Sequence, residues 1–139
     1  MERPCLNGHV VLVVEDEALV GLDVRDLLGD YGATVLLARN VKDALPLADS
    51  PELAAAVLDI NLGGEDCSAI CQRLSERGIP FMFHTGYSSA AVLEQWSSAP
   101  VVNKPASGAR IVEALTCLNY SLRRTRERES DLLRSDHPG

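Results

Sequence analysis

Residues 56–64 read Ala-Val-Leu-Asp-Ile-Asn-Leu-Gly-Gly. An apolar run that ends at glycines is typical of a buried β-strand, and this one predicts a strand over about residues 54–58. Its one carboxylate, Asp59, then lies at the carboxyl end of that strand, where open α/β sheets bind their ligands. Taken alone, Asp59 is more typical of a residue that caps a turn or the next helix. The rest of the sequence has to decide between these two interpretations.

The same pattern of an apolar strand followed by a helical segment occurs five times along the chain. The predicted strands cover about residues 9–14, 33–38, 54–58, 80–84 and 99–102. Such alternation implies a parallel sheet with helices on both faces. We therefore expect an α/β fold of the doubly wound, flavodoxin-like type with five strands, built as a single domain.

Composition restricts the class of protein. Apolar residues make up 46% of the 139 residues, yet no apolar run reaches the roughly 20 residues that a membrane helix needs. The first residues do not resemble a secretory signal, so we expect a cytoplasmic protein without a membrane partner. The net charge of −7 disfavours nucleic acid as a partner. Residues 123–139 are polar and lack an apolar stripe, which predicts a helix extension or a disordered tail after a domain over residues 1–122.

Two of the four cysteines, Cys67 and Cys71, lie four residues apart. With Ile70 and Leu74 they form the spacing of a buried helix face. No histidine or second cysteine pair stands at the spacing of zinc ligands, so we interpret them as packing residues.

Polar side chains follow four of the predicted strands. Glu15 and Asp16 follow the first strand, and the third, fourth and fifth strands are followed by Asp59, Thr85 and Lys104. Parallel strands bring these groups to one edge of the sheet. Three adjacent carboxylates repel one another unless a cation intervenes, and carboxylate oxygens suit Mg²⁺. Such a site could hold a phosphoryl donor while an aspartate attacks it as a nucleophile.

The sequence resembles the receiver domain of bacterial two-component response regulators. The resemblance lies in the order of an acidic pair, an aspartate, a threonine and a Lys-Pro pair along the chain. The resemblance covers about residues 8–120. It implies that Asp59 is the phosphoacceptor, that Thr85 is the switch hydroxyl and that Lys104 binds the phosphoryl group. It also implies that the bond between Lys104 and Pro105 is cis.

The resemblance further implies a magnesium site. Asp16 and Asp59 would bind the metal directly, together with the main-chain carbonyl of Asn61. The longer side chain of Glu15, which replaces the more common aspartate, would reach Mg²⁺ through a water molecule.

Strand five departs from the usual receiver pattern. The aromatic switch residue of the family falls at Val101, which cannot perform a ring rotation. The segment 80–87, Pro-Phe-Met-Phe-His-Thr-Gly-Tyr, resembles a receiver subgroup with a Pro-Phe-x-Phe-x-Thr-Gly-Tyr motif that also lacks the aromatic residue. Tyr87 is a candidate for shielding the phosphorylated site from water. The alternation of a strand puts His84 on the opposite face from Phe83 and Thr85, which favours a structural role.

The resemblance implies a histidine kinase or a histidine phosphotransfer protein as the phosphate donor. Output then passes through contacts with a downstream protein that the sequence does not identify. One alternative is a small magnesium-dependent phosphatase that forms an aspartyl phosphate, although Asn61 stands where such enzymes need a second acid. The other is that the chain is the receiver piece of a hybrid histidine kinase.

Overall fold

The computed structural model describes residues 6–86, 90–106 and 108–118. Its seven strands are β1 (Val10–Val14), β2 (Thr34–Ala38), β3 (Leu53–Leu58), β4 (Asn61–Leu62), β5 (Glu65–Asp66), β6 (Phe81–Thr85) and β7 (Val101–Asn103). Its helices are α1 (Ala18–Asp30), α2 (Val41–Ala48), α3 (Ser68–Glu76), α4 (Ala90–Gln95) and α5, which includes residues 108–118. None of the helices among the described residues has the length and apolarity needed to cross a membrane.

Five strands form one parallel sheet in the order β2-β1-β3-β6-β7. The predicted doubly wound fold of flavodoxin-like type is therefore confirmed. After β1 the chain adds β2 on one side and β3 on the other, so the strand order reverses between β1 and β3. Ligands of such sheets bind at the carboxyl ends of the strands beside this reversal.

Alternate residues of the strands enter two separate apolar layers. The first layer lies against α2, α3 and α4, and its strand residues include Leu12, Val14, Ala56, Leu58, Phe81 and Phe83. The second lies against α1 and α5, and its strand residues are Val11, Val13, Ala55, Val57, Met82 and Val102. Because side chains alternate along a strand, every central strand is buried on both faces, which explains the continuous apolar runs in the sequence.

The predicted helix face of α3 is confirmed. Cys67 and Cys71 are fully buried in the first layer, with their Sγ atoms 3.7 Å apart and no disulfide between them. Asn40 caps α2, because its Oδ1 accepts a hydrogen bond from the Asp43 amide at 2.8 Å. Pro46 lies inside this helix, which nevertheless continues to Ala48.

A short antiparallel hairpin formed by β4 and β5 lies between β3 and α3, and Asp66 is its last residue. Gly63 and Gly64 form its turn with φ of 67° and 99°, a left-handed conformation that glycine adopts without strain. Ser68 then begins α3, and its amide donates to Asp66 Oδ1 at 2.9 Å. The predicted polar segment 123–139 lies outside the described residues.

Two glycines near the end of α1 allow a matched test of the left-handed backbone conformation at Gly32. Gly32 has φ of 96°, and a Cβ there would lie 1.7 Å from Asn7 Oδ1. Gly29 lies inside α1 with open space around it. We expect Gly32→Ala to lower the free energy of unfolding by at least about 1–2 kcal/mol, the cost of a left-handed L-residue. Gly29→Ala should leave it unchanged or raise it by up to about 1 kcal/mol.

Urea denaturation of both variants measures this difference. Equal stability of the two variants would contradict the assigned conformation of Gly32.

Candidate functional site

Three carboxylates meet at the carboxyl edge of the sheet. Glu15 and Asp16 follow β1, and Asp59 follows β3. Backbone pairing continues past the strand ends, since the Asp59 amide donates to the Val14 carbonyl at 3.0 Å. One oxygen from each carboxylate lies within 4.8 Å of the others. The structure thus brings together the acidic residues that the sequence assigned to one site.

Lys104 joins two of these carboxylates from the end of β7. Its Nζ donates to Asp59 Oδ2 at 2.9 Å and also to Glu15 Oε1. The lysine side chain is only 18% exposed, and both carboxylates are buried. The bond between Lys104 and Pro105 is cis, as the resemblance implied.

The other oxygen of Asp59 accepts hydrogen bonds from two neighbours. Thr85 is buried at the end of β6, and its Oγ1 donates to Asp59 Oδ1 at 2.8 Å. The amide of Asn61 donates more weakly to the same oxygen at 3.4 Å. Both oxygens of Asp59 are therefore oriented by donors from separate parts of the chain.

Asn61 is the first residue of the hairpin and is exposed. Its side-chain oxygen accepts a hydrogen bond from the Gly64 amide at 3.4 Å, across the hairpin turn. The hairpin thus holds the backbone of Asn61 next to Asp59. The metal-binding role of its carbonyl rests on the resemblance.

The two buried carboxylates have opposite shifts in pKa. Burial raises the pKa of Glu15 to about 7, and Asp59 raises it further, although Lys104 opposes the shift. Burial also acts to raise the pKa of Asp59, but hydrogen bonds with Lys104, Glu15 and Thr85 outweigh it and hold this pKa below its usual range. The pKa of Lys104 rises, because its two carboxylate partners outweigh the opposing effect of burial. At neutral pH, Asp59 is thus the ionised carboxylate and Lys104 keeps its proton.

The donor set fits a divalent cation of the hard, oxygen-binding type. Three carboxylates converge there, whereas Lys104 supplies a single positive charge to two of them. The raised pKa of Glu15 reflects its burial beside another acid, a situation that a bound cation relieves.

One contributor to this site had no role in the sequence analysis. Arg39 follows β2, and its Nε and Nη2 donate to the backbone carbonyl of Asp16 at 3.4 and 3.2 Å. The guanidinium therefore attaches the loop after β1 to the end of β2. A basic residue at a strand end was the available signal, but its backbone target could not be inferred from the sequence. Tyr87, the proposed shielding residue, lies outside the described residues.

Comparisons with known proteins identify the family of this chain. The profile of the response regulator receiver domain family matches residues 11–116. A search of curated proteins found no match.

Several solved structures share the fold. A CheY-like receiver domain protein from Methanospirillum hungatei superposes with a TM-score of 0.74 and 19% identity, covering 84% of this chain and 98% of that one. A receiver protein from Sinorhizobium medicae gives a TM-score of 0.73 and 21% identity, covering 83% and 97%. NtrX from Brucella abortus, solved with ADP, gives a TM-score of 0.76 and 25% identity, covering 88% of this chain and 29% of that one. The chain therefore belongs to the family of response regulator receiver domains, the phosphoacceptor signalling domains of two-component systems.

Proposed function

We propose that Asp59 accepts a phosphoryl group from a phosphohistidine of a histidine kinase or a histidine phosphotransfer protein. The observation that carries this proposal is the position of Asp59. It alone among the described carboxylates lies in the acidic cluster and also contacts both Lys104 and Thr85. We place the protein in the cytoplasm, and its output passes to a downstream protein by direct contact.

The transfer requires little chemistry from the protein beyond positioning and charge. An oxygen of Asp59 forms a bond to phosphorus while the bond between phosphorus and the donor's imidazole nitrogen breaks. The electron pair of that bond stays with the imidazole. Lys104 is placed to pair with the negative oxygens of the phosphoryl group, and the Thr85 hydroxyl can donate to them.

We propose Mg²⁺ as the cofactor of this site. Asp16 and Asp59 would hold it directly with the carbonyl of Asn61, and Glu15 would act through water. When bound, the ion supplies positive charge against the incoming phosphoryl group.

The phosphatase alternative is disfavoured by Asn61. An amide cannot serve as the general acid or base that such an enzyme needs two residues after its nucleophile. The Asn61 side chain is also engaged by the Gly64 amide in the hairpin. A receiver takes up about one phosphoryl group per chain, whereas a phosphatase turns over many. The receiver piece of a hybrid kinase would perform the same chemistry at Asp59.

Phosphorylation has to shift a conformational equilibrium, and one hydrogen bond is too weak to do so. Moving a two-state equilibrium from 1:99 to 99:1 takes about 5.5 kcal/mol, whereas a neutral hydrogen bond contributes about 0.5–1.5 kcal/mol. Thr85 therefore needs the charged contact of Lys104, whose amide also donates to the Thr85 carbonyl at 3.0 Å. Val101 offers no aromatic ring to relay the motion and is 39% exposed on the edge strand. We infer that the rearrangement passes through residues 85–96 instead.

Asp59→Asn should abolish the uptake of phosphate. We expect wild-type protein to gain up to one phosphoryl group per chain from acetyl phosphate with Mg²⁺, because Asp59 is the oriented nucleophile. Intact-protein mass spectrometry measures the gain. Asp30→Asn, which removes an exposed carboxylate of α1, is the matched control and should behave as wild type. Wild-type stoichiometry in Asp59→Asn would refute the assignment.

Asp16→Asn should weaken the binding of Mg²⁺. Loss of an outer-sphere partner of a metal typically costs roughly 10–100-fold in affinity, and loss of a direct ligand should cost at least about tenfold. Titration of the Asp59 amide signal with MgCl₂ measures the affinity. Glu17→Gln removes the neighbouring charge, which lies outside the cluster, and should change the affinity much less. An Asp16→Asn protein that binds as wild type would remove Asp16 from the ligand set.

Thr85→Val should uncouple phosphorylation from the conformational change. The variant keeps Asp59 and Lys104, so it should still take up phosphate. It loses the hydroxyl that would donate a hydrogen bond to the phosphoryl group. We expect beryllium fluoride, a phosphoryl mimic, to shift the amides of residues 85–96 in wild type and in Thr85→Ser. These shifts should be much smaller in Thr85→Val. Shifts confined to β7 and α5 in wild type would show that the switch takes another route.

A further inference from the structure

Asp16 lies on a short connection between two anchored elements. On one side, the backbone pairing of β1 with β2 ends where the Glu15 amide donates to the Ala38 carbonyl at 3.0 Å. On the other side, the Glu17 carbonyl accepts a hydrogen bond from the Gly21 amide of α1 at 3.0 Å. The carbonyl of Asp16 lies between the sheet and the helix, and the backbone bonds of these two elements do not include it.

Arg39 supplies the donors for this carbonyl. It directly follows β2, and the Nε and Nη2 of its exposed guanidinium donate to the Asp16 carbonyl oxygen at 3.4 and 3.2 Å. Within residues 6–86, 90–106 and 108–118, no other side chain bonds to Asp16. The guanidinium is a rigid fork of donors, so two N–H groups that share one acceptor restrict its direction as well as its distance.

The carboxylate of Asp16 lacks the support that the other two carboxylates have. Lys104 bonds to Glu15 and to Asp59, and Thr85 also donates to Asp59. One oxygen of Asp16 lies in the acidic cluster, but no salt bridge holds it there among the described residues. Its direction therefore depends on the backbone of Asp16, because the side chain and the carbonyl group are attached to the same Cα.

Arg39 does not act as a counter-ion at the cluster. No salt bridge joins it to a carboxylate in the part of the chain that the structure describes. Its positive charge opposes the binding of a divalent cation nearby, because like charges repel. The hydrogen bonds of Arg39 and its charge thus have opposite effects on metal binding, and an experiment can separate them.

We propose that Arg39 is a positioning residue of the metal site. By bonding to the carbonyl of Asp16, it holds the Asp16 carboxylate toward the cluster before a cation arrives. Partners of this kind, which hold a metal ligand without touching the metal, commonly set the affinity of a site. The inference rests on the proposed magnesium site, and it gives β2, which carries none of the three carboxylates, a part in that site.

Two substitutions of Arg39 separate position from charge. Arg39→Met removes both the donors and the charge, and we expect it to weaken Mg²⁺ binding by about two- to tenfold, the loss expected for one hydrogen bond. Arg39→Lys keeps the charge but not the fork, and it should also weaken binding. If only the charge mattered, Arg39→Met would bind Mg²⁺ more tightly and Arg39→Lys would bind as wild type does. Titration of the Asp59 amide signal with MgCl₂ measures the affinity.

Arg25→Met is the matched control. Arg25 is an exposed arginine of α1 that pairs with the adjacent Asp26, and it lies near Ala33 and Val35 at the start of β2 rather than at its end. This variant loses the same charge and should keep the wild-type affinity for Mg²⁺.

A second measurement needs no metal. In metal-free protein, ¹⁵N relaxation should show a lower order parameter for the amides of Asp16 and Glu17 in Arg39→Met than in wild type, falling from about 0.85 for a rigid backbone toward 0.6. Urea denaturation should show little change in the free energy of unfolding. A purely structural role of Arg39 predicts the reverse: lower stability with unchanged affinity for Mg²⁺.

The double variant shows whether Arg39 acts through Asp16. In the Asp16→Asn background, Arg39→Met should cost no further affinity, because the ligand that it positions is already lost. An equal loss in both backgrounds would overturn the proposal, as would an Arg39→Met protein that binds Mg²⁺ as tightly as wild type or more tightly. If Asp16→Asn alone binds weakly in that case, the metal site stands and only the role of Arg39 fails. If Asp16→Asn binds as wild type does, the ligand assignment of Asp16 and the role of Arg39 fail together.

Discussion

The ammonium of Lys104 holds this site together. It bonds to the carboxylates of Glu15 and Asp59 and so connects the ends of three strands that lie far apart in the sequence. A buried ion pair contributes little net stability, because removing its charges from water costs about as much as their attraction returns. Its effect is on position and charge: without the ammonium, the buried carboxylates would repel one another and their pKa values would rise. The low pKa of Asp59 depends on this contact with Lys104.

One positive charge among three carboxylates leaves the edge of the sheet short of cations. Glu15 responds with a pKa raised to about 7 by burial, while Asp59 stays ionised because its hydrogen bonds outweigh its burial. The surroundings thus give two similar carboxylates opposite shifts in pKa, and Asp59 is the one that stays ionised. The same shortage of positive charge makes the edge a suitable place for a divalent ion and for the phosphoryl group that such an ion accompanies.

Strand β6 carries two consecutive residues to two different places. Thr85 turns toward Asp59 and donates to it, while His84 lines a cavity between α1 and α5. Lys104 contacts both places, because its ammonium bonds to the carboxylates and its side chain lines the cavity.

The sequence by itself determined the sheet, its alternation with helices and the side chains at its edge. These follow from local rules, because a two-residue period and a common strand direction bring Glu15, Asp59 and Lys104 to one edge. Only the tertiary structure decided the hairpin at Gly63 and Gly64, the contact of Arg39 with the backbone of Asp16 and the unpaired nitrogen of His84. The hairpin pairs only two residues on each side, which is too short to show an alternation of apolar and polar residues in the sequence. The other features depend on distance and burial between segments far apart in the chain, which no local pattern encodes.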